Sequence, residues 1–259
     1  MKVTMRVLIS AILILSAAQI RGEAVNLTLY YESLCPDSIR FIRFQLYPTW
    51  LLLTDDNLSV DFVPYGKATF QGEAVNLTLY YESLCPDSIR FIRFQLYPTW
   101  LLLTDDNLSV DFVPYGKATQ SKTSNGTWVF ECQHGENECQ GNKEQACALS
   151  LHQNNASIQV QFISCVMSAW SPPEAGSQCA ETLGIDYTPI ENCAEGTQGD
   201  ELLAALGDRT HNFTPQITFV PTVAINDVYS QKDQDDAMSD LTSVICRYIT
   251  GTKPDACND

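Results

Sequence analysis

The stretch Val75-Asn-Leu-Thr-Leu-Tyr-Tyr-Glu-Ser-Leu-Cys-Pro-Asp-Ser88 decides how the rest of the chain is read. Its first seven residues, Val75 to Tyr81, alternate and are rich in β-branched and aromatic types, which predicts a strand. Glu82 to Ser88 follows as a turn, and Pro86 suits the first helical position, where no backbone N–H bond is lost. Ile89, Ile92, Leu96 and Trp100 recur at three- and four-residue spacing and predict one helical face. Pro98 is expected to kink or shorten that helix. Leu108 to Val113 alternates again and ends at Pro114-Tyr-Gly116, a second strand. Strand, cysteine turn, helix, strand is a βαβ unit, which closes right-handed into a parallel pair.

This unit is present twice. Gly22 to Thr69 recurs as Gly72 to Thr119, with all 48 residues identical at an offset of 50, while the flanking pairs Arg21/Gln71 and Phe70/Gln120 differ. Solenoid repeats drift in sequence and need about three units to bury a core. Neither holds here, which leaves a recent tandem exon duplication or an error in gene assembly. Either way one copy is surplus to the fold. The second is expected to build the native unit, because Thr119 runs directly into the rest of the chain. Use of the first copy would leave residues 70–119 as a loop far beyond the ~15 residues that compact domains tolerate. The expected organisation is a signal peptide at residues 1–22, a duplicated surplus βαβ segment at 23–72, and one domain at 73–259.

Lys2 and Arg6 precede the apolar run Val7 to Ala18, which ends in small residues, the order of a secretory signal peptide. The run is too short for a comfortable membrane span and no other approaches ~20 apolar residues, so no membrane span is expected. The whole chain carries 15 Lys+Arg against 31 Asp+Glu, a net charge of -16. Removing residues 1–22 takes away Lys2, Arg6 and Arg21 and no acid, leaving 12 − 31 = −19. Such a surface repels nucleic acid. Ten cysteines in 259 residues fit an exported protein in an oxidising compartment, and the acidity suits an acidic lumen as well as secretion.

Beyond residue 120 the pattern changes. Ser121 to Thr127 reads as a polar loop; Glu138–His152, Ala156–Trp170 and Gly199–Arg209 read as helices. They are separated by a break at Ser171 to Gly176 and a loop from Cys179 to Cys193. Ile217 to Ile225 is an apolar β-rich run interrupted by Pro221, which Asn226-Asp227 can turn back into a hairpin, and Asp235–Ile249 gives a closing helix. The predicted class is α/β, in a thioredoxin-like order with a helical, disulfide-rich insertion.

Cys85-Pro-Asp-Ser88 sits where a strand hands over to a helix, and Cys35-Pro-Asp-Ser38 repeats it. Unpaired N–H groups and the helix dipole at such a place favour the thiolate, the species that attacks disulfides. In thioredoxin-like folds a proline before a sheet strand packs beside the reactive cysteine in the cis form, and Val220-Pro221-Thr222 is placed to supply it. A second cluster, Cys132-Gln-His-Gly-Glu-Asn-Glu-Cys139-Gln-Gly-Asn-Lys-Glu-Gln-Ala-Cys147, fits no common Cys/His zinc spacing, and an oxidising compartment favours disulfides. No metal and no cofactor are expected.

The pattern C-Q-H-G-x2-E-C-x2-N-x4-C is matched by Cys132, Gln133, His134, Gly135, Glu138, Cys139, Asn142 and Cys147. Together with Leu79 to Pro86, Phe219 to Asn226, and Cys246 through Lys253-Pro-Asp-Ala-Cys257, it resembles the gamma-interferon-inducible lysosomal thiol reductase (GILT) family. The resemblance spans residues 73–259. It implies a thioredoxin-like fold and reduction of disulfide-bonded protein substrates in lysosomal or secreted compartments. The family's reductases carry Cys-x-x-Cys, whereas both copies here carry Cys-x-x-Ser. Cys85 carries over as the attacking thiol, with Ser88 at the resolving position and Pro221 beside it. A hydroxyl cannot attack a mixed disulfide, so the expected route is monothiol, closed by a small thiol reductant such as free cysteine. A redox-inactive secreted binding protein and a disulfide-stapled structural domain are the competing readings.

Setting aside Cys35 and Cys85 leaves Cys132, Cys139, Cys147, Cys165, Cys179, Cys193, Cys246 and Cys257, an even set that admits four bridges in 105 connectivities. Cys246–Cys257 is the pairing expected first. His134 is expected to hydrogen-bond within its loop. Of the seven glycosylation sequons, Asn125 and Asn155 lie beside loops and Asn212 near a helix end, whereas Asn26 and Asn76 lie in predicted strand.

Overall fold

A computed structural model describes residues 25–31, 35–53, 58–63 and 73–258. The signal-peptide expectation lies outside the described residues. The chain divides into two compact units, Met1–Thr69 and Phe70–Asp259.

In the first unit, β1 (Val25–Tyr30) leads to a helix built of α1 (Pro36–Phe41), a π-helical turn (Ile42–Leu46) and α2 (Tyr47–Leu53), and then to β2 (Leu58–Val63). β1 and β2 pair in parallel from Val25↔Leu58 to Tyr30↔Val63. Among its described residues Leu46 and Leu58 are the buried hydrophobic ones, while Tyr30, Phe44, Leu52 and Phe62 are exposed.

The second unit opens with the same elements: β3 (Val75–Tyr81), α3 (Pro86–Phe91), a π-helical turn (Ile92–Leu96), α4 (Tyr97–Asn107) and β4 (Leu108–Pro114). Pro98 does not end this helix. It stands early in α4, just after the π-helical turn, so the N–H it lacks falls where the hydrogen-bond ladder is already interrupted. β3 pairs in parallel with β4 and antiparallel with β7 (Thr222–Ile225), giving the order β4-β3-β7. As the central strand, β3 is buried on both faces apart from Asn76.

The remainder departs from the sequence reading in three places. Residues 119–131 are a hairpin of β5 (Thr119–Lys122) and β6 (Trp128–Glu131) instead of a plain loop. Its strands are only four residues each, too short and polar for alternation to register. α5 (Glu136–Leu151) and α6 (Ala156–Ser168) follow, and a 3-10 turn at Pro172–Glu174 fills the expected break. The supposed loop from Cys179 to Cys193 holds two helices, α7 (Gly176–Leu183) and α8 (Thr188–Glu195). Each is two turns long and marginal alone, and each is anchored by a bridge, Cys165–Cys179 and Cys147–Cys193. After α9 (Thr197–Asn212), residues 217–221 are not strand; only β7 joins the sheet, and the expected hairpin shrinks to one bridge between Ile225 and Val228. α10 (Gln231–Tyr248) closes the domain and is tied to the tail by Cys246–Cys257.

The core lies between the sheet and the helices. Leu77, Leu79, Phe91, Ile92, Leu96, Leu108 and Phe112 meet Phe162, Ile163, Val166, Leu241 and Ile245 in one buried cluster. A parallel strand pair, a helical insertion, a cis-proline, an antiparallel strand and a final helix make an α/β thioredoxin-like fold with a disulfide-rich helical insertion. No helix among the described residues is long and apolar enough to cross a membrane.

Candidate active site

Cys85 stands at the N-cap of α3 with extended backbone (φ -67, ψ 122), and its carbonyl accepts from Ile89 N at 3.0 Å, the first bond of the helix. Its Sγ donates to the Val220 carbonyl at 3.7 Å, and the Val220–Pro221 peptide is cis. Gln234 of α10 grips this segment from behind: its Nε2 donates to Pro221 O at 3.0 Å, and its Oε1 accepts from Val223 N at 2.9 Å. Ser88 lies one turn along α3, fully buried, with its hydroxyl accepting from Glu82 N at 3.4 Å. The structure thus brings Cys85, Ser88 and Pro221 together across 136 residues of sequence. Cys35 and Ser38 occupy the same places on α1, both half-buried.

The turn that delivers Cys85 is held by the second motif. Ser83 N donates to Asn142 Oδ1 at 2.9 Å, and Ser83 Oγ donates to the Glu138 carbonyl at 3.1 Å. Gly141 lets the turn come that close, since a Cβ there would stand 2.7 Å from Ser83 Oγ. Tyr81, the last residue of β3, donates its hydroxyl to Gln145 Oε1 at 2.6 Å. The Cys132–Cys139 bridge closes the loop over the start of α5, and Cys147 is bridged to Cys193, so none of these three thiols is available to zinc. Gly135 caps α5 at φ 88, and Gln133 is exposed.

Sequence reasoning missed Glu82. Its carboxylate is fully buried; Oε1 accepts from Lys117 N at 2.7 Å, and Oε2 lies 3.5 Å from His134 Nδ1. Glu138, also fully buried, accepts from His134 N at 3.1 Å and stands 2.6 Å from His134 Nδ1. Burial pushes the Glu82 carboxyl above its ordinary range and the neighbouring Glu138 adds to this, against the pull of the Lys117 amide and His134. Gly116 makes room for Glu82: its φ is +62, and a Cβ there would lie 2.2 Å from Glu82 Cγ. The available signals were Glu82 three residues before Cys85 and the Pro-Tyr-Gly after the second strand. Neither has meaning until the fold joins them.

Cys85, at a helix start against the carbonyl before a cis-proline, has the geometry of a thiol site. Residues 26–75 and 76–183 match the family described as gamma interferon inducible lysosomal thiol reductase (GILT). The chain belongs to the GILT family. It is 36% identical over 257 residues to GILT-like protein 1 of Drosophila melanogaster, covering 94% of this chain and 82% of that protein. It is 34% identical over 247 residues to the gamma-interferon-inducible lysosomal thiol reductase-like protein of Anopheles gambiae, covering 91% and 80%. It is likewise 34% identical over 237 residues to the gamma-interferon-inducible lysosomal thiol reductase of Mus musculus, covering 90% and 72%. Membership of the GILT family makes it a thiol oxidoreductase by class. The motif from Cys132 through Cys147 is the element that clamps the turn before Cys85.

The other cysteines form four bridges: Cys132–Cys139, Cys147–Cys193, Cys165–Cys179 and Cys246–Cys257. Asn125 and Asn212 are exposed, and Asn155 is exposed at the N-cap of α6, where its Oδ1 accepts from Ile158 N at 3.0 Å.

Proposed function

We propose that this protein reduces disulfide-bonded protein substrates with Cys85 as the attacking thiol of a monothiol Cys-x-x-Ser site, in a secreted or lysosomal lumen. The observation that carries this is the placement of Cys85 at a helix start, against the carbonyl that precedes cis-Pro221, with a serine hydroxyl one turn away. The four disulfides support an oxidising compartment. The Cys85 thiolate attacks one sulfur of the substrate disulfide, forming a mixed disulfide and releasing the first substrate thiol. Ser88 has no sulfur to displace the second. A small thiol, such as free cysteine, attacks Cys85 Sγ and releases it, and a second small thiol then frees Cys85. The balance is one protein disulfide and two small thiols converted to two protein thiols and one small disulfide.

The test is trapping. With Ser88 intact, a disulfide-bonded protein substrate mixed with the protein accumulates as a covalent complex that disappears on adding free cysteine and never forms with Cys85→Ser. In Ser88→Cys the new sulfur attacks the mixed disulfide from within, so complexes become scarce and turnover depends less on added thiol. Partners retained after reduction or in Cys85→Ser would instead mark a redox-inactive binding protein. Turnover by the unsubstituted protein without added thiol would show that another cysteine resolves the intermediate.

A further inference from the structure

We infer that Glu82, His134 and Glu138 form a binding site for one divalent transition-metal cation, of the zinc, cobalt or manganese kind, beside the turn that carries Cys85. One donor atom from each residue lies within 4.8 Å of the others. His134 Nδ1 is 2.6 Å from Glu138 Oε2 and 3.5 Å from Glu82 Oε2. A cation bound at about 2.0–2.2 Å from each donor would hold them about 3.0–3.5 Å apart, so the His134 and Glu138 side chains, now 2.6 Å apart, would have to open around it.

Both carboxylates are already aimed. Each has one oxygen fixed by a backbone amide, Glu82 Oε1 by Lys117 N and Glu138 Oε1 by His134 N, and the second oxygen turned toward the imidazole. This is the outer-shell support that orients ligating carboxylates. Glu82 Oε2, fully buried, has no hydrogen-bond partner. His134 Nδ1 can serve one carboxylate oxygen at a time, and the nearer is Glu138 Oε2 at 2.6 Å. No lysine or arginine makes an ion pair with Glu82 or Glu138 among the described residues. Two buried carboxyl groups facing one imidazole leave Glu82 Oε2 without a partner, an acceptor that a divalent cation would satisfy. The His134 side chain keeps 34% of its surface exposed, which gives the ion a way in. One nitrogen and two carboxylate oxygens suit zinc, manganese or cobalt better than the all-oxygen cages of calcium and magnesium. The Cys132–Cys139 bridge brackets the histidine and Glu138 and fixes their spacing.

The full-length protein with Cys35→Ser and Cys85→Ser, which removes the thiols outside the bridges, should bind one equivalent of Zn²⁺ or Co²⁺ in equilibrium dialysis. The bound Co²⁺ should show visible bands without thiolate charge transfer. Glu82→Gln and His134→Gln should each weaken binding at least 100-fold at unchanged far-ultraviolet circular dichroism. Should either fail to fold, Mn²⁺ broadening of backbone NMR signals in the unsubstituted protein replaces it, and must centre on residues 82, 117 and 134. The inference is overturned by any of four results: no binding at millimolar Zn²⁺ and Co²⁺, undiminished binding in Glu82→Gln and His134→Gln, loss of binding on Cys85→Ser, or tighter binding of Mg²⁺ or Ca²⁺.

Discussion

Two stretches of 48 identical residues lead different lives in this chain. Their backbones agree closely: Cys35 has φ -68, ψ 120 and Cys85 φ -67, ψ 122, and each helix carries its π-helical turn at the same five residues. The parallel pairing keeps one register, Val25↔Leu58 in the first and Val75↔Leu108 in the second. Their burial does not agree. Val25 is 64% exposed and Val75 2%; Tyr30 is 65% exposed and Tyr80 5%; Phe62 is 49% exposed and Phe112 3%. The same amino acids therefore specify strand, cap, helix and register in both places; in the second copy β7 lies along the first strand and α6 and α10 pack on the helix. A two-stranded sheet with one helix leaves most of its apolar surface wet, and such a unit is marginal. Local sequence makes the βαβ shape; the insertion and closing helix bury it.

The widest separation should appear in chemistry. Cys85→Ser should bring disulfide reduction to background, because the partners of Cys85, the Val220 carbonyl and the Gln234 strap, come from beyond residue 120. Cys35→Ser should lower turnover less than twofold. Assay of both variants with one disulfide-bonded substrate and excess free cysteine decides it, and a large loss in Cys35→Ser would mean the first copy takes part.

Stability should separate the copies next. Phe112→Ala removes a side chain from the main core and should cost about 3–5 kcal/mol, whereas Phe62→Ala, half exposed, should cost less than ~0.5 kcal/mol. Urea unfolding followed through the major transition measures both. Equal costs would mean that the first copy is as well packed as the second.

Much of the fold was legible because it is written in local terms. Strand alternation, Pro86 after the cysteine and the helical spacing of Ile89, Ile92 and Leu96 need no tertiary information, so the βαβ unit and the order of elements could be read in sequence. The GILT resemblance rested on a motif dense enough to stand alone. What escaped depends on closure. β5 and β6 are short and polar, and α7 and α8 are two-turn helices pinned by disulfides whose pairings sequence leaves open. The cis-proline segment contributes one short strand because Gln234 and Thr222 satisfy the backbone groups that a hairpin partner would have taken. At the site, Cys85, Ser88 and Pro221 announce themselves by type and order. Glu82 does not, since its partners Lys117, His134 and Glu138 reach it only through the fold.

A third contrast is in pH. The second unit contains Glu144, whose carboxyl burial pushes up to about 7 despite a hydrogen bond from Tyr187, with Glu191 adding to the rise. Because the folded value lies above the unfolded one, the native state holds more protons between ~4.5 and ~7. Stability should therefore rise as pH falls through that window, by up to about 3 kcal/mol from this group. Glu144→Gln should flatten that slope, stabilising the protein at pH 8 much more than at pH 5. Thermal unfolding of both proteins across pH 4.5–8 checks it; parallel curves would remove Glu144 as the cause.

The smallest contrast is one ion pair. In the second copy Asp111, on β4, pairs with Arg209 of α9 and accepts from Thr78 Oγ1 at 3.4 Å. Asp61, its twin on β2, makes no ion pair with any described residue. Both members of the Asp111–Arg209 pair are more than a third exposed, so solvent screens the attraction and side-chain ordering opposes it. The two-fold contact of the guanidinium, Nη1 and Nη2 each on one carboxylate oxygen, puts it at the better end of surface pairs. Asp111→Asn should cost about 0.5 kcal/mol, and Asp61→Asn nothing measurable. A double-mutant cycle with Arg209→Met isolates the pair: coupling should appear for residue 111, shrink in molar salt, and be absent for residue 61. Equal coupling at both positions would mean that the Asp111–Arg209 contact is not what the cycle measures.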